Sequence, residues 1–256
     1  MSARLALFLL VSAALTPPSA AAASCQVRSG WSPVVELYTS QGCSSCPPAD
    51  AWLGSLAQAA AARQVVPLAF HVDYCDYLGW RDPLSQAGHS ARQRLLARAE
   101  GGTVVYTPQV RLSGRDFRDW RSADTVRSAL TRPLPRPDGT VELSLDLRDD
   151  VMKLAAQAVL PAGTVGYLAV YERALASRVT GGENSGRTLE HDFVVRRWLG
   201  PFTADAQGRL TLDRDIALDR TWKRRDLGVA LIQADATSGA SLYGATLPVC
   251  ASAAGS

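Results

Sequence analysis

The sequence predicts an α/β domain over residues 30–130, followed by an all-β, sandwich-like domain over residues 139–250. In the first region, short apolar runs rich in β-branched residues alternate with longer stretches rich in Ala, Leu and Arg, as strands alternate with helices. In the second region, short runs mostly alternate apolar and polar side chains, with glycine-containing turns between them. The proline-rich segment TRPLPRPDG between the two predicts a linker over residues 131–138.

The first region contains three predicted strands and three predicted helices. PVVELYT and VVPLAFHV are continuously apolar enough to be buried strands, and TVVYTPQVRL predicts a third strand interrupted by Pro108. A helix is expected from PPADAWLGSLAQAAAAR, a second from LSQAGHSARQRLLARA, and a short last one from SADTVRSAL, which begins with residues suited to a helix cap. In the second region, strands are expected in TVELSLDL, GYLAVYER, HDFVVRRWL, RLTLDRDI and DLGVALIQAD.

Residues 1–23 have the features of a secretory signal peptide. Arg4 provides a positive start, LALFLLVSAAL is an apolar run too short to span a bilayer, and small residues follow it. The alternative is a buried N-terminal helix. The signal peptide predicts an exported protein, either periplasmic or secreted.

The sequence predicts neither nucleic-acid binding nor a transmembrane helix. The formal net charge is +3, and the 27 basic residues are interspersed with 24 acidic ones, so no basic patch for nucleic acid is predicted. No segment after the signal peptide approaches the roughly 18 consecutive apolar residues that a transmembrane helix requires.

The five cysteines have a different meaning in an exported protein, because disulfides persist outside the cytosol. Cys25 and Cys250 lie near opposite ends of the exported chain, and chain termini are often close in space, so we expect a structural disulfide between them. The alternative for Cys25 is lipidation, since AASC loosely resembles a lipoprotein cleavage site. An odd number of cysteines leaves one thiol over.

Cys43 and Cys46 form a CxxC pair where a buried strand passes into a helix. Cys43 is expected at the first helical position, where free N–H groups and the helix dipole favour a thiolate. In such a setting a cysteine pKa commonly falls from about 8.5 to between about 3.5 and 7.5, which accelerates thiol–disulfide exchange. Pro47 and Pro48 suit a first helical turn. The alternatives are a structural loop or half of a metal site.

Pro108 stands inside an apolar strand, a position from which proline is normally excluded. A cis bond between Thr107 and Pro108 would account for it, and a bulge or an edge strand is the alternative.

Taken together, these motifs resemble a known fold and, more narrowly, a known family. A strand, a CxxC pair on a helix, a strand, a helix and a strand that opens with Thr-Pro resemble the thioredoxin fold. More narrowly, VVELYTSQGCSSCPPAD, AFHVDYCDYLGWRDP, VYTPQV and GGENSGRTLEHDFVVR resemble an exported bacterial family named domain of unknown function 1223. The family implies a thioredoxin-like fold and no proven substrate. The chain departs from the family at Cys75, where a tryptophan is expected.

The resemblance to thioredoxin-like proteins implies roles for particular residues. Cys43 would attack a partner and Cys46 would resolve the mixed disulfide, while Thr107 and Pro108 would hold the partner's chain. Glu36 would lie beneath the thiols and accept the proton of the deeper one, its pKa raised by burial. The alternative for Glu36 is an edge cap or a pair with an arginine.

The predicted function is therefore exported thiol–disulfide exchange with protein thiols or disulfides, without a cofactor. One alternative is a module that binds Cu(I) or Zn(II) through the CxxC pair and His71, with Cys75 four residues further on. Another is a structural or interaction protein in which the CxxC disulfide is a staple. Cys75 is then either a spare thiol or a third redox partner, and TGGENSGR predicts a long hairpin loop rather than an anion site.

Overall fold

The structure, a computed structural model, describes residues 24–131 and 137–250. The predicted signal peptide and most of the predicted linker lie outside the described residues.

Strands predominate over helices in the described residues. The strands are β1 (Cys25–Ser29), β2 (Ser32–Thr39), β3 (Val66–His71), β4 (Gln109–Leu112), β5 (Arg115–Asp116), β6 (Val141–Arg148), β7 (Val151–Val159), β8 (Thr164–Glu172), β9 (Leu175–Arg178), β10 (Thr188–His191), β11 (Val194–Phe202), β12 (Arg209–Ala217), β13 (Leu227–Asp235) and β14 (Ser241–Pro248). The helices are α1 (Pro47–Ser55), α2 (Ala57–Ala61), α3 (Ala87–Ala99) and α4 (Ala123–Thr131).

Six of these strands close into a barrel in the order β2, β3, β11, β8, β13, β14, because β14 pairs with both β13 and β2. The closing contact is short and involves only Ser32 and Pro33 at the start of β2. From Val35 to Tyr38 the same edge of β2 pairs instead with β4, which carries β5 beyond it.

The barrel contradicts the predicted fold class, an α/β thioredoxin-like domain followed by an all-β sandwich-like domain. Strands from before and after the linker share one sheet, with β3 next to β11 and β2 next to β14. The thioredoxin-like superfamily is therefore not supported by the overall fold. The error has a physical source, since strand pairing is decided by contacts between distant segments, whereas apolar periodicity reports only which strands are buried.

A second sheet, in the order β1, β6, β7, β12, covers one side of the barrel. Strands β8 and β13 supply both cores because successive side chains of a strand point to opposite faces. In β13, Val229 and Leu231 pack towards the four-stranded sheet, whereas Ala230 and Ile232 pack in the core that contains β2 and β3.

β2 and β3 are parallel neighbours, and all of their residues are buried. This explains their nearly continuous apolar sequences, because a strand that is buried on both faces does not alternate apolar and polar side chains. Thr39 and His71, the last residues of the two strands, lie opposite each other. The loops that follow the two strands, which carry all three free cysteines, therefore begin at the same edge of the sheet.

Two local predictions need adjustment. The predicted helix after the cysteines is interrupted at Leu56, which separates α1 from α2. The predicted third strand is shorter than expected and begins only after Pro108, at Gln109.

The predicted disulfide between Cys25 and Cys250 is confirmed, with a Cα–Cα distance of 5.7 Å. It ties β1 to the residues that follow β14. No helix in the described ranges combines the length and apolar character needed to cross a membrane.

Candidate functional site

Cys43 and Cys46 lie in a tight turn between β2 and α1. The backbone N–H of Cys43 donates to the carbonyl of Ser40, and that of Cys46 donates to the carbonyl of Cys43, each at 3.2 Å. Helix α1 begins at Pro47, with prolines in its first turn as expected. The expectation that Cys43 occupies the first helical position is wrong, because Cys46 is the residue that precedes the helix.

The two thiols have opposite acidities. A hydrogen bond from Cys46 lowers the pKa of Cys43 to about 5, although partial burial acts to raise it, and a hydrogen bond from Ser45 contributes in the same direction as Cys46. Burial raises the pKa of Cys46, and the negative charges of Cys43 and Asp50 raise it further. At neutral pH the thiol of Cys46 therefore donates a hydrogen bond to the thiolate of Cys43.

Accessibility also distinguishes the two sulfur-bearing residues. Cys43 is 7 % exposed, whereas Cys46 is 0 % exposed. Cys43 is thus the residue of the pair that a partner can reach first.

The third free cysteine lies beside the first. The carbonyl oxygen of Thr107 is 3.8 Å from the Cys43 sulfur, and the hydroxyl of Thr107 is 3.4 Å from the Cys75 sulfur. Burial raises the pKa of Cys75, so this cysteine is a thiol at neutral pH. The peptide bond between Thr107 and Pro108 is cis, as predicted.

A cavity of about 620 Å³ opens next to Cys43. Ser45 and Thr107, which both contact the Cys43 sulfur, form one wall. Tyr106, Pro108, Val110, Phe117 and Trp120 add apolar surface, and Arg118 and Arg121 lie at the margin. Val104, also in the lining, is 77 % exposed. An apolar groove beside a cysteine sulfur suits an extended peptide.

The hairpin formed by β9 and β10 covers the other side of the cysteine turn. Asn184 donates to the backbone carbonyls of Gln41 and Cys43 at 2.9 and 3.0 Å, and Glu183 accepts from the N–H of Ser44 at 2.9 Å. The predicted hairpin loop in TGGENSGR is confirmed. Its glycines serve a close approach, because a Cβ on Gly182 would lie 2.7 Å from the carbonyl oxygen of Leu78.

Glu36 lies in β2 with its carboxylate fully engaged. It accepts hydrogen bonds from Arg92 at 2.7 Å, from Ser241 at 2.6 Å and from Tyr38 at 3.2 Å. These contacts correspond to the alternative in which Glu36 pairs with an arginine. The carboxylate whose charge acts on Cys46 is that of Asp50.

Asp50 belongs to a buried cluster with His71 and His191, in which one potential ligand atom from each lies within 4.8 Å of the others. His71 contacts Asp82 through Nδ1 at 2.7 Å. Although burial acts to lower the pKa of His71, the carboxylate of Asp82 raises it above the ordinary value, and the pKa of Asp82 is correspondingly lowered. The charges that act on His71 are thus those of the carboxylates of Asp50 and Asp82 and of the guanidinium of Arg196, while its ring contacts that of His191.

Sequence analysis missed Asp50, Asn184 and His191. Asp50 could have been found, because it lies four residues after Cys46 and residues four apart share one face of a helix. Nothing local indicated Asn184 or His191, since both approach the cysteine turn from a hairpin more than 130 residues away.

The fold and the site define a strand-rich protein with a CxxC pair at one edge of a closed barrel. The chain belongs to the DUF1223 family, whose description is "protein of unknown function" and whose sequence profile matches residues 34–233. None of the curated proteins matches the chain. It is similar to a crystal structure of a protein from Agrobacterium tumefaciens, with 27% sequence identity and a TM-score of 0.60 over 84% of this chain and 93% of that one.

Proposed function

We propose that the protein is an exported thiol–disulfide oxidoreductase that acts on protein partners through Cys43 and Cys46. The observation that carries the proposal is the contact between the two thiols, which lowers the pKa of Cys43 to about 5. At neutral pH such a thiol is almost entirely ionised, and the thiolate is the species that attacks a disulfide.

The reductive half of the exchange proceeds in two steps. The Cys43 thiolate attacks one sulfur of a partner disulfide, so that a bond from Cys43 to the partner forms, the partner's disulfide breaks, and its second sulfur leaves as a thiolate. Cys46 then gives its proton to that thiolate and attacks the Cys43 sulfur. This forms the Cys43–Cys46 disulfide and releases the partner, which has gained two electrons.

The low pKa of Cys43 favours the reverse direction, in which the protein oxidises a partner dithiol. A stabilised thiolate stabilises the reduced form of the pair, which makes the disulfide form a stronger oxidant. Partner thiols that remain to be oxidised are found in newly exported proteins, and the signal-peptide features of residues 1–23 agree with that setting.

The groove beside Cys43 supports a protein rather than a small thiol as the partner. A peptide that lies along Ser45 and Thr107 passes the Cys43 sulfur, because both residues contact that sulfur. Thr107 and Pro108 are in this proposal the residues that position the partner.

The test is capture of the mixed disulfide by a Cys46→Ser variant. Incubated with insulin as a disulfide-bonded test protein, this variant is expected to form a covalent adduct that dithiothreitol releases. Cys43→Ser should form none, and Cys75→Ser with both members of the pair intact should turn over like the wild type.

A structural staple predicts a different result. In that case Cys46→Ser forms no adduct although Cys43 is a free thiol, and the reduction potential of the pair lies below about −300 mV. The oxidoreductase proposal would then be abandoned.

A further inference from the structure

Three buried side chains from three separate elements meet beneath the cysteine turn. Asp50 comes from α1, His71 ends β3 and His191 ends β10. Asp50 is 6 % exposed, His71 is 0 % exposed and His191 is 3 % exposed. One ligand atom of each lies within 4.8 Å of the others, and the Asp50 oxygen is 3.7 Å from Nδ1 of His191.

Two imidazole nitrogens in this cluster have no hydrogen-bond partner among the described residues. They are Nε2 of His71 and Nδ1 of His191. Buried polar atoms are nearly always paired, so two unpaired nitrogens next to one carboxylate oxygen indicate that something else binds between them.

In each of these three side chains, the other polar atom contacts a neighbouring residue. Nδ1 of His71 contacts Asp82 at 2.7 Å, and the second oxygen of Asp50 accepts from Thr39 at 3.0 Å. Nε2 of His191 is 3.2 Å from the side-chain amide of Gln41. Metal-binding histidines characteristically have such a partner on the nitrogen that does not bind the metal, and a carboxylate on His71 is a frequent form of it.

We propose that Asp50, His71 and His191 form a site for one divalent transition-metal ion, with Zn²⁺ as the ion best suited to it, and that none of the thiols is a ligand. Two imidazoles and one carboxylate are the donor set that suits Zn²⁺ and its neighbours among the first-row metals. A metal at this site does not require the proposed thiol chemistry.

Charge and distance both fit an ion of this kind. Asp50 and Asp82 are two buried carboxylates, and one dication neutralises both. Ligand atoms at about 2.0–2.2 Å from Zn²⁺ lie roughly 3.3–3.6 Å apart, so the Asp50–His191 distance is already suitable and the widest separation must shorten by about 1 Å. A cavity of about 420 Å³ lined by Asp50 and His191 leads to the site from the surface.

Gln41 sets one condition on binding. Its Oε1 accepts from Trp80 at 3.0 Å, and its Nε2 therefore faces Nε2 of His191. In that orientation His191 holds its proton on Nδ1. A metal at Nδ1 requires the proton on Nε2, so the amide of Gln41 must turn over, and the indole N–H of Trp80 then loses its acceptor because it faces the amide NH2 group. The carboxylate of a Gln41→Glu variant accepts from both neighbours and removes this requirement.

The test is titration of the full-length, chelator-treated protein with Co²⁺ and Zn²⁺. We expect one Co²⁺ per chain, with visible d–d absorption and no sulfur-to-cobalt charge-transfer band, and displacement by Zn²⁺. Because even outer partners of metal ligands affect affinity by 10–100-fold, Asp50→Asn and His191→Ala should each weaken binding by at least about 100-fold. Gln41→Glu should strengthen it by about tenfold.

Two variants serve as matched controls. His89→Gln changes the one histidine of the chain outside the cluster, and a Cys43→Ser/Cys46→Ser double variant removes the pair. Both should bind the metal as the wild type does. The proposal is overturned if the wild type binds no metal, if a charge-transfer band shows that a thiol is a ligand, or if His191→Ala binds normally. Should Asp50→Asn fail to fold, the wild-type spectrum and the response of Gln41→Glu still decide the question.

Discussion

The side-chain amide of Asn184 donates to the backbone carbonyl of Cys43 at 3.0 Å, although 141 residues separate the two in the sequence. The same amide group donates to the carbonyl of Gln41 at 2.9 Å. A side chain that is itself fully buried thus holds the turn that carries Cys43 against the hairpin formed by β9 and β10.

Replacing Asn184 by Ala should destabilise the protein and loosen the cysteine turn. The carbonyl of Gln41 loses its side-chain donor, whereas that of Cys43 keeps the N–H of Cys46. An unsatisfied buried group costs about 1–3 kcal/mol, so the free energy of unfolding should fall by about 1–3 kcal/mol. Urea unfolding measures this, and amide hydrogen exchange should be faster in residues 40–46. Asn184→Asp should be worse at neutral pH because its carboxylate faces the same carbonyls.

Glu183→Gln is the matched control from the same loop, since Glu183 is exposed and its partner, the N–H of Ser44, can bond to an amide oxygen. Its stability should be close to that of the wild type. Equal stability of Asn184→Ala and the wild type would show that the hairpin does not hold the turn.

Removing the thiol of Cys46 should raise the pKa of Cys43. In Cys46→Ala the largest contribution that lowers the pKa is lost, and the value should move from about 5 towards the ordinary cysteine value of about 8.5. The measurement is the pH dependence of the iodoacetamide alkylation rate at Cys43. Cys46→Ser retains a hydroxyl donor and should give a smaller increase. An unchanged midpoint in Cys46→Ala would assign the acidity to the helix end instead.

The features of the site that depend on local sequence were predictable. The CxxC turn after a buried strand, the prolines in the first helical turn and the cis bond before Pro108 each follow from a few adjacent residues and the conformations open to them. The pairing of Cys25 with Cys250 followed from the export prediction and from the positions of the two residues near opposite ends of the exported chain.

The barrel and the buried cluster were not predictable in this way. In the described residues, β11 and β3 pair only through Val194 and Ala69. The contact that joins the regions before and after the linker into one barrel is therefore too short to be predicted from either sequence segment. His71 ends β3 of the barrel and His191 ends β10 of the separate two-stranded sheet, so the packing of that hairpin against the barrel brings the two rings together. The prediction that Cys43 occupies the first helical position was wrong because the helix begins only at Pro47, the first of two prolines.

The stability of the reduced protein should depend on pH through Cys43. Its pKa is about 5 in the folded state, below the ordinary cysteine value of about 8.5. A group with a depressed folded pKa contributes stability above its unfolded pKa, and this contribution is lost as the pH falls through the folded pKa. The unfolding free energy of the reduced protein should therefore rise from about pH 5 to about pH 9 more steeply in the wild type than in Cys43→Ser. Parallel profiles for the two proteins would mean that Cys43 is not ionised in the fold.

Breaking the disulfide should destabilise the whole barrel. The bond joins residues 225 positions apart, and closing a loop of that length restricts the unfolded chain strongly. A Cys25→Ser/Cys250→Ser double variant should lose about 3–5 kcal/mol of unfolding free energy, measured by urea denaturation without reductant. Cys75→Ser, which removes a free thiol, is the control and should lose much less. Equal losses in the two variants would show that the disulfide contributes nothing specific.

Val104 tests the groove as the site of partner binding. The side chain is 77 % exposed at the margin of the cavity that includes Thr107 and Trp120, and nothing in its exposure suggests a role in stability. If a partner covers it, Val104→Asp replaces apolar burial by a desolvated charge. Full burial of a valine is worth about 1.5–3 kcal/mol, so kcat/KM for a cysteine-containing peptide should fall by about tenfold or more through KM. Val159→Asp, the same substitution at an exposed valine of β7, is the control. The alkylation rate of Cys43 should be unchanged in both variants, because neither residue contacts its sulfur. If Val104→Asp and Val159→Asp exchange disulfides at the same rate, the partner does not use this groove.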